Sequence, residues 1–149
     1  MKKILSVIIS ALICFALFGC GAPSGAENGN GGETPDDAAV EVDLTKLSST
    51  MVYAEVYNMT SAPGNYMGKT VRMRGAFTYA EGDGRYYFAC IISDATACCA
   101  QGIEFVLRDE RKFPDEYPKT GEEITVVGVF DTYFEGIYQY CQLIDAVME

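Results

Sequence analysis

The chain has no histidine and no tryptophan among its 149 residues. Without histidine the commonest general base is missing, and with it the Ser-His and Cys-His nucleophile pairs. This argues against an enzyme, and any metal site must use thiolates and carboxylates alone. Positive charge is also scarce: 11 Lys and Arg stand against 21 Asp and Glu, for a net charge of −10. Phosphate backbones need a basic face, so nucleic acid is excluded as a partner. There is no C-x2-C knuckle, no phosphate-cradling glycine motif after a strand, and no internal repeat. The acids of residues 109–123 match no twelve-residue calcium loop and read as a solvated surface.

The chain begins with Lys2 and Lys3, followed by an apolar run from Ile4 to Phe18 that is short for a membrane span. The run ends in "LFGC", residues 17–20. That tetrapeptide resembles the bacterial lipobox. The resemblance implies cleavage before Cys20 and a diacylglyceryl group on its thiol. It also implies anchoring at the extracytoplasmic face of a bacterial cell membrane. A plain secretory signal or an anchor helix is the competing reading. The "GAPSGAENGNGGETPDD" that follows Cys20 reads as a tether rather than a stop-transfer sequence. Residues 1–19 are thus expected to be a lipoprotein signal peptide, and 20–47 the lipidated cysteine with a flexible, acidic, Gly-rich linker. Loss of 1–19 removes Lys2, Lys3 and no acid, taking the net charge from −10 to −12. The tether reaches roughly 25–30 Å.

Residues 48–149 form one domain, large enough for a single core and small enough to benefit from covalent staples. Val52, Val56 and Met59 predict a short helix over 49–60, ended by Pro63 and Gly64. Alternation then predicts a strand through 69–79, with Val71, Met73, Gly75, Phe77 and Tyr79 on one side. A turn at "EGDG" (81–84) leads into strands at 85–92 and 102–108. Residues 109–123 are polar and broken by proline, with room for a short helical turn at most. Strands at 124–134 and 137–148 close the chain, bent at Glu135-Gly136. The expected fold is mainly β, a five-stranded OB-like barrel with one short N-terminal helix. Glycines inside the first and fourth strands supply the bends that closure needs. An open antiparallel sheet with a helix is the alternative.

The phrases "NYMGKTVRMRGAF" (65–77) and "FACIISDATACCAQGIEFVL" (88–107) resemble a group of small uncharacterised OB-like lipoproteins of anaerobic bacteria. They are also similar to the C-terminal domain of a permease-associated membrane protein family, where a Cys-Cys pair again precedes the third strand. The resemblance covers residues 48–149. It implies a link to metal-ion transport, with a metal as ligand and a transporter or other envelope protein as partner.

Four thiols fall in the domain: Cys90, Cys98, Cys99 and Cys141. In an OB strand order all four gather at one end of the barrel. They then read as a disulfide framework, with Cys90 and Cys141 each joined to one member of the vicinal pair. As a second reading they are a ligand set for zinc or another thiophilic metal, all-thiolate or with a carboxylate such as Asp94. Redox exchange through Cys98 and Cys99, or four reduced packing cysteines, complete the alternatives. Tyr87, Tyr138 and Tyr140 are candidates for an exposed aromatic surface that takes a sugar or peptide. The expected function is a membrane-anchored, non-enzymatic binding domain that handles a metal ion through its cysteines. The alternative is a protein- or glycan-interaction module whose cysteines are structural disulfides.

Overall fold

The structure is a computed structural model and describes residues 39–149. The expected signal peptide, Cys20 and most of the expected tether lie outside the described residues.

Helix α1 spans Ser49–Ser61. It buries Val56 and Met59 completely and packs Val52 and Tyr53 against the core. These positions recur at helical spacing and form one apolar stripe. Ala62 caps the helix through its N–H to Asn58 O, and Pro63 begins a single 3-10 turn that cannot continue it.

The remainder is mainly β, in one six-stranded mixed sheet. Its strands are β1 (Val42–Asp43), β2 (Thr70–Gly82), β3 (Arg85–Ser93), β4 (Ala100–Leu107), β5 (Glu123–Glu135) and β6 (Tyr138–Met148). Their order is β1-β2-β3-β4-β6-β5, and β2 also pairs with β5. The β1–β2 and β4–β6 pairs are parallel and the other pairs antiparallel. The expected count of five strands is therefore corrected to six.

The additional strand comes from the segment assigned to the linker. Glu41 N donates to Thr70 O at 2.9 Å, and Val42 pairs with Val71. Leu44 follows at 1% exposure, inside the core. Val40, Val42 and Leu44 do alternate with Glu41 and Asp43, but the run is short and follows an acidic, Gly-rich stretch, so the sequence reading leaves it in the tether.

Strand β2 changes partner along its length. Thr70 to Ala76 pair with β5, and Ala76 to Gly82 pair with β3. Gly75 sits at that crossing, where a Cβ would lie 2.3 Å from Ile91 O and 3.0 Å from Cys90 Sγ. Only glycine allows backbones to approach this closely. Val71, Met73 and Phe77 face inward as the alternation predicts. Tyr79 does not; it is exposed and packs on Phe113, with ring centroids 4.7 Å apart. Residues 109–122 are also less solvated than their composition suggests. Phe113 and Tyr117 turn inward, and Tyr117 stacks on Phe88 at 4.2 Å. No helix among the described residues is long and apolar enough to cross a membrane.

Candidate functional site

Strand alternation determines the fate of each cysteine. On β3 the side chains of Phe88, Cys90 and Ile92 face the core, and Cys90 is fully buried. Burial pushes its thiol pKa up to about 12, so it stays protonated. Cys141 on β6 is half-buried, with Sγ 3.9 Å from Met59 O in α1. Burial raises this thiol pKa as well, with the charge of Glu104 adding to the effect. Neither residue is bonded to another cysteine.

Cys98 and Cys99 lie on the exposed loop that joins β3 to β4. The loop is closed by Asp94 N donating to Cys99 O at 2.9 Å and by a turn from Ala97 N to Asp94 O. Ala97 adopts the left-handed conformation, with φ of 55°. The Asp94 carboxylate organises the interior. Its Oδ1 accepts from Cys98 N at 2.9 Å and from Cys99 N at 3.4 Å. Its Oδ2 accepts from Thr96 Oγ1 at 2.9 Å and from Cys98 Sγ at 3.2 Å. The two sulfurs are 3.6 Å apart. One ligand atom each from Asp94, Cys98 and Cys99 lies within 4.8 Å of the others.

Electrostatics match this arrangement. Hydrogen bonding from the Cys98 thiol, then from Thr96 and the loop N–H groups, holds the Asp94 carboxyl below its ordinary value. The Cys99 thiol is pushed up, first by its contact with Cys98 and further by desolvation and the Asp94 charge. Three anionic donors close together repel one another unless a cation or protons sit among them.

The expected gathering of four cysteines is corrected. The structure brings together Cys98, Cys99 and Asp94, and it leaves Cys90 and Cys141 elsewhere. The reason is the period of two along β3: a residue aimed into the core at position 90 cannot also reach the outside of the following loop. Asp94 is more central than its sequence reading as one optional carboxylate. Its signal was the spacing D-x3-C-C at the exit of a strand, since an aspartate at a loop start binds the N–H groups that follow it.

The expected tyrosines separate. Tyr87 lines a groove of about 810 Å3 along β3 and β4. Tyr140 stacks on Tyr133 with centroids 5.4 Å apart, and of these two it is Tyr133 that lines the groove. Tyr138 is 66% exposed beside the β5–β6 turn. Sequence reasoning did not select Arg85, Glu104 or Glu135 and placed Tyr133 only close to the strand tyrosines. Contacts among these residues and Tyr87 join strands distant in the chain. Tyr87 Oη donates to Glu135 Oε1 at 2.8 Å, Arg85 pairs with the same carboxylate, and Tyr133 Oη donates to Glu104 Oε2 at 2.7 Å.

The chain matches no protein-family model and no curated protein sequence.

Proposed function

We propose that this chain is an extracytoplasmic bacterial lipoprotein, anchored through Cys20, whose OB-like domain holds a thiophilic metal ion at Asp94, Cys98 and Cys99. The observation that carries the metal reading is the mutual approach of those three donors on one exposed loop. Two thiolates bound to one zinc at ~2.3 Å with tetrahedral angles lie about 3.8 Å apart, and here the sulfurs are 3.6 Å apart. Thiolate donors select zinc, copper(I) and related soft ions over calcium or magnesium.

Three protein donors leave a tetrahedral ion one open position, and the loop faces solvent. Such a site suits an ion that is passed on, whereas a structural zinc is enclosed by four ligands. The partner that fits is a transporter or another envelope protein that donates or receives the ion. This agrees with the resemblance to permease-associated domains. The OB-like barrel is supported by the run of pairings β2–β3–β4–β6–β5 and back to β2, with β1 as an added edge. The lipid anchor rests on "LFGC" at 17–20, and the reading as a binding protein rather than an enzyme rests on the missing histidine.

Metal titration under reducing conditions tests this directly. About one zinc or copper(I) ion binds per chain, and Cys98→Ser or Cys99→Ser abolishes it. Affinity falls as the pH is lowered, because the proton on Cys99 competes with the ion. Stoichiometric binding that survives both substitutions would reject the assignment. Cys20→Ala separately removes the protein from the membrane fraction; retention there after correct cleavage would reject the anchor.

A further inference from the structure

The groove along β3 and β4 is separate from the cysteine loop and unused by the metal reading. Its volume, about 810 Å3, lies within the range of small-ligand sites. The tyrosines on its wall are fixed in place. Tyr87 is held through its hydroxyl by Arg85 and Glu135, and Tyr133 by Glu104. Their hydroxyls are thus engaged inside the protein. The Arg85 guanidinium lies over one face of Tyr87, 4.5 Å from its centroid, and Tyr140 stacks on one face of Tyr133. Each therefore leaves a single ring face for a ligand.

The strand neighbours Phe88 and Phe105 point to the opposite, core side and are already packed there. Phe105 is buried, and Phe88 stacks against Tyr117 and touches Phe113. Around the rings stand groups that donate and groups that accept. Gln142 gives its Nε2 to Asp131 at 3.3 Å, which leaves its carbonyl oxygen for a ligand donor. Glu104 uses Oε2 for Tyr133 and presents a second oxygen.

The charges nearly cancel. Glu104, Asp109, Glu110 and Glu116 line the groove, and so do Arg85, Arg111 and Lys112. On a chain of net charge −10, this local balance favours neither a polyanion nor a polycation. Flat ring surface beside mixed donors and acceptors, at near-neutral charge, matches a ligand with apolar C–H faces and many hydroxyls. Each hydroxyl both donates and accepts.

We infer that this groove binds a short neutral oligosaccharide, stacked on Tyr87 and Tyr133 and hydrogen-bonded by Glu104 and Gln142.

The test uses the full chain in a detergent without a sugar headgroup, with chitotriose, cellotriose and maltotriose as probes. Saturating the aromatic protons should transfer magnetisation to the ring C–H protons of at least one trisaccharide at millimolar concentration. Tyr133→Ala and Gln142→Ala should each weaken that binding about tenfold. Tyr87→Phe should weaken it less than Tyr133→Ala does, because the ring is retained and only its hydroxyl anchor to Glu135 is lost. Cys98→Ser should also keep it, which separates this site from the metal loop. Thermal unfolding of each variant shows whether the fold persists, and Gln142→Ala removes only a partly buried polar group. No transfer to any of the three probes overturns the inference. So does an extended peptide that occupies the groove when the sugars do not.

Discussion

Two positions eight residues apart show how strongly the fold controls one functional group. Cys90 and Cys98 have the same thiol and lie on either side of the same strand end. Cys90 is sealed beneath the β2 crossing, its Sγ close under Gly75, with a pKa raised to about 12. Cys98 is exposed and hydrogen-bonded to a carboxylate, 3.6 Å from a second sulfur. The first is a small apolar side chain in practice. The second is open to solvent and stands beside two further donor groups, Asp94 and Cys99. The intervening loop converts one environment into the other, and Asp94 holds it in shape.

The largest expected effect on this contrast is kinetic. Under native conditions an alkylating reagent should modify Cys98 and Cys99 first. Cys90 should react only through unfolding, slower by a factor on the order of 10³ or more. Mass spectrometry of a time course reads both sites in one sample, and comparable rates at Cys90 would remove the distinction.

Exchanging the two roles by mutation should give opposite losses. Cys98→Ser should lower metal affinity more than ~100-fold, a ligand being worth more than its outer hydrogen-bonding partner. Its unfolding free energy should change by no more than about 0.5 kcal/mol. Cys90→Ser should leave the ion bound and lower stability by roughly 1–3 kcal/mol, because the buried hydroxyl lacks a partner. Calorimetry beside metal titration distinguishes the two.

A steric test follows at Gly75. The added methyl of Gly75→Ala meets Ile91 O, a backbone atom that cannot swing aside. The cost should be about 1–3 kcal/mol in chemical denaturation, with the cysteine loop still able to take its ion.

The contrast also appears in alkali. Below pH about 9, the ordinary value of its thiol, Cys90 is protonated in both folded and unfolded chains, and its contribution to stability is complete. Between there and about 12 the unfolded thiol ionises while the folded one does not. Stability should then decline by ~1.4 kcal/mol for each pH unit. Tyr66 is raised to about 12 by burial and by its hydrogen bond to Glu55, and it steepens the loss at the upper end. The decline should be shallower in Cys90→Ala.

Much of the architecture is legible in the chain itself. The helix at 49–61 follows from Val52, Val56 and Met59, and the long strands follow from alternation at Val71, Met73 and Phe77 or at Ile103 and Phe105. The vicinal cysteines stand out as a local pattern. Local periodicity is a short-range signal, and where it exists it specifies the element and its buried face. Partner choice is a long-range matter. Leu44 enters the core because β2 lies open beside it, and Phe113 and Tyr117 turn inward because Phe88 offers them a ring. Cys90 parts from Cys98 because a strand has two sides. Glu104 meets Tyr133, and Glu135 meets Arg85 and Tyr87, across 29 to 50 residues of chain. Such contacts exist only once strand pairing has fixed which surfaces face each other. The sequence by itself determined the elements and the donors, and the tertiary structure alone decided which donors share a site.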